Sequence, residues 1–121
     1  MNNLSTDNLI THIIEGIENV KGINIKILDL RVIENTICKY FIICSGNSRT
    51  QVNAITGSIK KCVSKELGEK PWQIEGLENC KWVLMDYFDV VVHIFDEKTR
   101  DYYKIEEFWE ESNSTLIETK Y

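Results

Sequence analysis

Apolar residues recur at helical spacing near the start of the chain. They are, in chain order, Leu9, Ile10, Ile13, Ile14, Ile17 and Val20. Ser5, Thr6 and Asp7 precede this series as capping candidates, and Gly22 follows it as a stop signal. The pattern therefore predicts a first amphipathic helix.

Two stretches after this helix favour strands. Residues 23–30 alternate apolar and polar positions, whereas residues 36–44 form a nearly continuous apolar run that is rich in β-favouring residues. Because a strand that is apolar on both sides needs cover on both sides, we predict that the second strand is central in its sheet.

A second helix follows the central strand. Gly46 interrupts the strand, and Ser48 with Gln51 three residues later has the form of a capping box. Gly68 is predicted to end the helix in a left-handed conformation. The predicted buried stripe consists of Val52, Ile55, Ile59, Cys62, Val63 and Leu67.

The remainder of the chain predicts a short edge strand, a hairpin and a last helix. Pro71 suits the start of an edge strand over residues 71–75, because proline donates no hydrogen bond to a neighbouring strand. Residues 82–86 and 90–95 are spaced for an antiparallel hairpin. Asp96 is a cap for a helix over residues 98–109.

The order of elements predicts an α/β (α+β) fold: a mixed β-sheet with helices mainly on one face. Residues 1–109 are predicted to form the domain. Residues 110–121 are polar except for Leu116 and Ile117, so we predict a flexible C-terminal tail.

Charge narrows the classes of partner. The 121 residues include 19 acidic and 14 basic side chains, which gives a formal net charge of -5. An acidic protein is poorly suited to gripping phosphate backbones, so we expect little direct nucleic-acid binding and favour a basic protein as partner. Lys60, Lys61 and Lys65 are expected to form a solvated helix face.

The cysteines and the N-terminus bear on the cellular compartment. Cys38, Cys44, Cys62 and Cys80 show neither paired zinc-ligand spacing nor the density of a disulfide scaffold, which indicates reduced core thiols. No targeting segment and no apolar run of membrane-spanning length is visible. We expect a cytoplasmic protein that does not contact membranes.

Candidate acid–base chemistry is limited to the predicted hairpin. Asp86 and Asp89 lie at its tip, with Glu75 and His93 as neighbours, but nothing nearby offers an activated nucleophile. Aspartates are also common in turns for structural reasons. His12 and His93 lack metal-ligand spacing, so we expect no metal and no cofactor.

The two faces of the first hairpin strand differ. Trp82, Leu84 and Asp86 share one face, while Val83 and Met85 share the other. If helices cover only one face, the other presents apolar groups rimmed by carboxylates, as protein-docking patches do. A Trp82 that merely fills the core fits the pattern equally well.

Three motifs in this order resemble the ribosomal silencing factors, also called the Iojap family. They are the residues 40–48, the pair Glu75 and Gly76, and the stretch 82–95 followed by Arg100, Tyr103, Glu106 and Trp109. The chain departs from the family at Phe88, where a glycine is usual.

The resemblance implies a nucleotidyltransferase-like fold without catalysis that is often dimeric. It also implies binding to ribosomal protein L-fourteen on the large ribosomal subunit, which blocks joining of the small subunit and represses translation in starvation or stationary phase. The implied contact residues are Trp82, Leu84, Asp86, Tyr87, Asp89, Glu75 and Tyr103. The alternative is a nucleotidyltransferase-like enzyme with Asp86 and Asp89 as metal ligands.

Overall fold

A computed structural model describes residues 3–34, 36, 38–109, 111–119 and 121. The elements are, in chain order, α1 (Asn3–Asn19), β1 (Ile23–Asp29), β2 (Tyr40–Gly46), α2 (Arg49–Leu67), β3 (Gln73–Glu75), β4 (Trp82–Asp86), β5 (Val90–Asp96), α3 (Glu97–Tyr103), α4 (Ile105–Phe108) and β6 (Asn113–Ile117). The strands form one sheet in the order β3-β4-β5-β2-β1-β6.

The sheet is mixed, as the sequence predicts. β2 and β5 run parallel at its centre, and the outer pairs are antiparallel, including the predicted hairpin of β4 and β5. β2 begins at Tyr40 rather than at residue 36, and Phe41 to Gly46 are all buried. The prediction that this strand is central and covered on both sides is confirmed.

The two long helices pack on one side of the sheet, which we call the covered face. It is formed by buried strand residues, namely Ile25, Ile42, Cys44, Val83, Met85, Val90, Val92 and Ile94. Ile13 and Ile17 of α1 and Ile55 and Ile59 of α2 meet this face and are fully buried. The predicted helical stripes therefore supply the main core, as burial of apolar area favours.

The beginning of α1 differs from the prediction. The helix starts at Asn3, so Ser5, Thr6 and Asp7 lie inside its first turns, and their predicted capping role is wrong. Thr6 is buried, and its hydroxyl donates to the Asp89 carboxylate at 3.3 Å. The contact between Thr6 and Asp89 therefore stabilises the first turns of α1, where we expected a local cap.

The ends of α2 confirm both cap predictions. The Ser48 hydroxyl accepts from the Gln51 backbone N–H at 3.1 Å, and Gly68 adopts a left-handed φ of 67°. The reciprocal bond is shifted by one residue, because the Gln51 side chain accepts from the N–H of Asn47 instead of that of Ser48.

The predicted helix over residues 98–109 is wrong as a single helix. Asp96 caps α3 as predicted. Lys104, however, takes a left-handed φ of 48°, which ends α3 and separates it from α4. Ile105 is buried beyond this break, and Arg100 pairs with Glu106 across it. Burial of Ile105 and this ion pair stabilise the bend over a continuous helix.

The C-terminal segment also differs from its prediction. Asn113–Ile117 form β6, which pairs antiparallel with β1 along the sheet edge. The prediction of a flexible tail did not include a strand at these five residues. The backbone of an existing strand edge supplies hydrogen-bond partners that a polar sequence lacks by itself. The division of the chain after residue 109 stays a prediction.

Candidate protein-docking site

The side of the sheet opposite α1 and α2 carries the candidate site, and we call it the open face. On β4 and β5 it consists of Trp82, Leu84, Asp86, Val91, His93 and Phe95. Leu84 stands opposite His93 in the strand register, and Trp82 stands opposite Phe95. Val83 and Met85 are fully buried on the covered face, so the predicted division of β4 is confirmed.

Trp82 belongs partly to the core and partly to the surface. Its ring stacks on Phe95 with centroids 4.9 Å apart and lies 5.1 Å from the ring of Tyr103. Its indole N–H donates to Nδ1 of His93 at 3.1 Å. The ring is half-buried, so it is held rigidly while one part stays accessible. An aromatic side chain ordered in this way is well suited to anchor a partner.

His93 supports the tryptophan rather than reacting with a substrate. Desolvation by burial lowers the pKa of His93 to about 4, so the imidazole is neutral near pH 7. Since Nδ1 accepts from Trp82, the proton lies on Nε2, which is buried without a hydrogen-bond partner in the described part of the chain. The ring packs edge-on against Phe41, with centroids 4.5 Å apart.

The two candidate metal ligands at the hairpin tip have different neighbours. Asp86 Oδ1 accepts from the backbone N–H of Phe88 at 2.8 Å and supports the turn. Asp89 Oδ2 accepts from Thr6 and lies 3.9 Å from the Lys39 ammonium. Within the described ranges, neither aspartate belongs to a group of three potential metal ligands. Turn and anchoring chemistry accounts for both carboxylates.

Tyr87 lies on the covered face and not beside Trp82. Its side chain is 7% exposed and packs into the core formed by α1 and α2. Burial raises the pKa of its phenol, and the Glu69 carboxylate adds to this shift. A residue in this position offers little accessible area, so the candidate surface does not include Tyr87 or Asp89, which is bound to Thr6 of α1.

The remaining candidates come together around Trp82. Glu75 of β3 is exposed and stands opposite Leu84 in the register, and Tyr103 is 49% exposed. We call Glu75, Trp82, Leu84, Asp86 and Tyr103 the docking surface. A groove of about 800 Å³ adjoins it between the residues that follow β3 and helix α3.

An aromatic pair extends the hairpin end, and sequence reasoning did not select it as part of the site. Trp72 and Phe88 are 65% and 62% exposed, with ring centroids 5.7 Å apart. The backbone N–H of Trp72 donates to the backbone carbonyl of Asp86 at 2.7 Å. A tryptophan next to Pro71, in the predicted edge strand, was the available signal.

Phe88 has an unusual backbone conformation, and it stands where the resemblance implies a glycine. Its φ of 71° lies in the left-handed region, which glycine adopts without steric cost. The bond from its N–H to the Asp86 carboxylate holds this conformation. The structure thus gives a physical reason for a glycine at this position.

The two short helices brace the open face. The Arg100 guanidinium donates to Glu106 at 2.7 Å, to the Asn24 carbonyl at 2.7 Å and to the Ser45 hydroxyl at 2.9 Å. Trp109 packs edge-on against Phe41 with centroids 5.1 Å apart. These contacts hold residues 100–109 against β1 and β2.

Comparisons with known proteins agree with this architecture. The sequence model of a family described as "Ribosomal silencing factor during starvation" matches residues 3–120. A ribosomal silencing factor from Halalkalibacterium halodurans is 35% identical over 115 residues, which cover 95% of this chain and 97% of that protein. The chloroplast protein Iojap from Zea mays is 33% identical, with coverage of 82% of this chain and 41% of that longer protein.

A solved structure shows the same fold. A crystal structure of a protein from Chromobacterium violaceum superimposes with a TM-score of 0.80 at 33% identity, over 93% of this chain and 92% of that one. No helix in the described ranges has the length and apolarity needed to cross a bilayer. On the family match and these similarities, the chain belongs to the ribosomal silencing factors.

Proposed function

We propose that this protein binds ribosomal protein L-fourteen on the large ribosomal subunit and sterically blocks joining of the small subunit. It would act in the cytoplasm and repress translation during starvation or in stationary phase. The single observation that carries the proposal is the half-buried Trp82 ring, which is held by His93 and Phe95 and lines the same groove as the exposed Glu75. Family membership supplies the ribosomal context.

The chemistry of the docking surface suits a basic protein. Trp82, Leu84 and Tyr103 offer apolar area, while Glu75 and Asp86 add negative charge at its rim. Complementary charge steers association and fixes orientation, and an apolar centre supplies most of the affinity. The net charge of -5 disfavours indiscriminate contact with ribosomal RNA.

Steric blocking requires only that a surface is occupied. A stable interface removes roughly 800 Å² from each partner. The chain exposes 7332 Å² in total, so roughly a tenth of its surface would suffice. We propose that the protein acts in this way without catalysis, a cofactor or a bound nucleotide.

The test is sedimentation of purified ribosomal subunits with and without the protein. We expect co-sedimentation with the large subunit and a reduced yield of joined ribosomes. Trp82→Ala should weaken binding by at least about 30-fold, because a central aromatic anchor contributes about 2 kcal/mol or more. Asp86→Lys should weaken it through charge repulsion.

Matched controls separate a lost contact from a lost fold. Glu18→Lys reverses an exposed charge on α1, and Leu116→Ala removes an exposed apolar side chain on β6, at the opposite sheet edge. Both should bind as the unmodified protein does. Full binding by folded Trp82→Ala and Asp86→Lys proteins would contradict the proposed surface, and failure of the unmodified protein to bind would contradict the function.

A second candidate for the open face is a homodimer. We propose that a second copy and the ribosome compete for Trp82, because the accessible part of this ring lies beside apolar neighbours. Sedimentation velocity should then show that Trp82→Ala lowers the dimer fraction as well as ribosome binding. A dimer fraction unchanged by this substitution would place the dimer contact elsewhere.

A further inference from the structure

Three potential metal ligands meet on the outer side of the helix pair, away from the open face. They are His12 and Glu15 of α1 and Cys62 of α2, whose nitrogen, oxygen and sulfur ligand atoms all lie within 4.8 Å of one another. We propose that this cluster binds a zinc ion that links α1 to α2. The proposal is independent of the docking function.

The helix pair holds the three residues in place. His12 and Glu15 are three positions apart, so they project from the same side of α1. The helices approach closely at Gly16, where a Cβ atom would lie 2.8 Å from Cα of Ile59. The Ser58 hydroxyl donates to the Gly16 carbonyl at 2.7 Å and fixes the register that brings Cys62 to this position.

The distances are close to those of a zinc site. Zinc bonds of about 2.0–2.3 Å with tetrahedral angles place ligand atoms roughly 3.5 Å apart. Nδ1 of His12 and Oε2 of Glu15 are already 3.2 Å apart. The cluster limit of 4.8 Å requires the third ligand, Cys62, to move closer by roughly 1.3 Å at most. Glu15 is exposed and already contacts both His12 and Cys62, so small side-chain shifts can close the remaining distances.

The donor types select the metal. Thiolate, imidazole and carboxylate together suit zinc, whereas magnesium and calcium prefer ligands that are all oxygen. A hollow of about 290 Å³ adjoins the cluster and is lined in part by Glu15 and Cys62. A water molecule entering from this hollow would complete four-fold coordination.

Charged and titratable groups surround the cluster. Burial and the Glu15 carboxylate raise the pKa of Cys62, so the free protein carries a protonated thiol. Lys61, Lys65 and Glu66 line the same hollow, and their charges partly cancel. Zinc must displace the thiol proton when it binds Cys62.

Cobalt(II) is the sharpest probe, because a cobalt–thiolate bond produces a charge-transfer absorption band that nitrogen and oxygen ligands do not. Cobalt chloride would be added to the full, metal-free chain under a thiol-free reductant. We expect the band with the unmodified protein, its loss when zinc is added, and its absence in Cys62→Ser. His12→Gln should weaken cobalt affinity by about tenfold or more.

A matched cysteine control identifies the thiolate. Cys80 is half-buried and lies outside the cluster, so Cys80→Ser should keep the band unchanged. His12 is partly exposed, and its substitution tests the site even if Cys62→Ser does not fold. Zinc should also raise the Tm of the unmodified protein but not that of His12→Gln. Absence of the band in the unmodified protein, or its retention in both His12→Gln and Cys62→Ser, would overturn the proposal.

Discussion

The covered face and the open face are built from the same strands, yet they differ in chemistry. The covered face is lined by fully buried aliphatic side chains such as Ile42, Val92 and Ile94. The open face combines rings, a buried histidine and carboxylates, with Trp82 and Leu84 only half-buried. One face therefore contributes most of the stability, while the other has surface available for recognition.

The difference lies in what covers each face. Two helices of 17 and 19 residues cover the first, whereas the second meets, among the described residues, the short helices α3 and α4 and nearby loops. Short helices cannot bury every strand position. The half-buried residues left on β4, which are Trp82, Leu84 and Asp86, belong to the proposed docking surface.

The largest contrast should come from matched truncations on the two faces. Ile42→Ala should lower the free energy of unfolding by about 2–5 kcal/mol, because it opens a cavity among closely packed side chains. Leu84→Ala should cost no more than about 2 kcal/mol, since that side chain is only partly buried. Chemical denaturation measures both values, and equal losses would contradict the division between the faces.

The open face should also make stability depend on pH. His93 has a folded pKa of about 4, below the usual value near 6.5, so the unfolded chain binds its proton more readily. Stability is therefore retained above pH 6.5 and lost as pH falls towards 4, by about 2 kcal/mol between pH 7 and pH 5.

Two histidine variants check this assignment by denaturation at several pH values. His93→Gln removes the titrating group and should flatten the decline between pH 7 and pH 5. His12→Gln changes a histidine on the other side of the molecule, where no buried imidazole is involved, and should leave the decline in place. A steep decline that persists in His93→Gln would assign the effect to other groups.

The smallest effect concerns the turn that ends the open face. Phe88→Gly and Phe88→Ala both remove the ring that contacts Trp72, but only glycine adopts a φ of 71° without steric cost. The glycine variant should therefore be more stable than the alanine variant by about 1 kcal/mol. Thermal unfolding of the two variants measures this difference in stability. A more stable alanine variant would contradict the left-handed conformation at position 88.

Much of the fold follows from local signals in the sequence. Helical and alternating apolar periods located the long helices and main strands, and the caps at Ser48, Gly68 and Asp96 matched their predictions. The alternation in β4 separated Trp82, Leu84 and Asp86 from Val83 and Met85. These features depend on residues that are close together in the sequence, so the sequence alone predicts them.

The sequence by itself determined which residues are apolar, where the main elements lie and that the chain resembles the ribosomal silencing factors. Only the tertiary structure decided that Tyr87 points into the core, that Asp89 turns towards Thr6, and that β6 forms at the edge beside β1. It also brought together His12 and Cys62, which lie on two different helices. Such contacts join distant segments, and their free energy depends on packing that no local pattern contains.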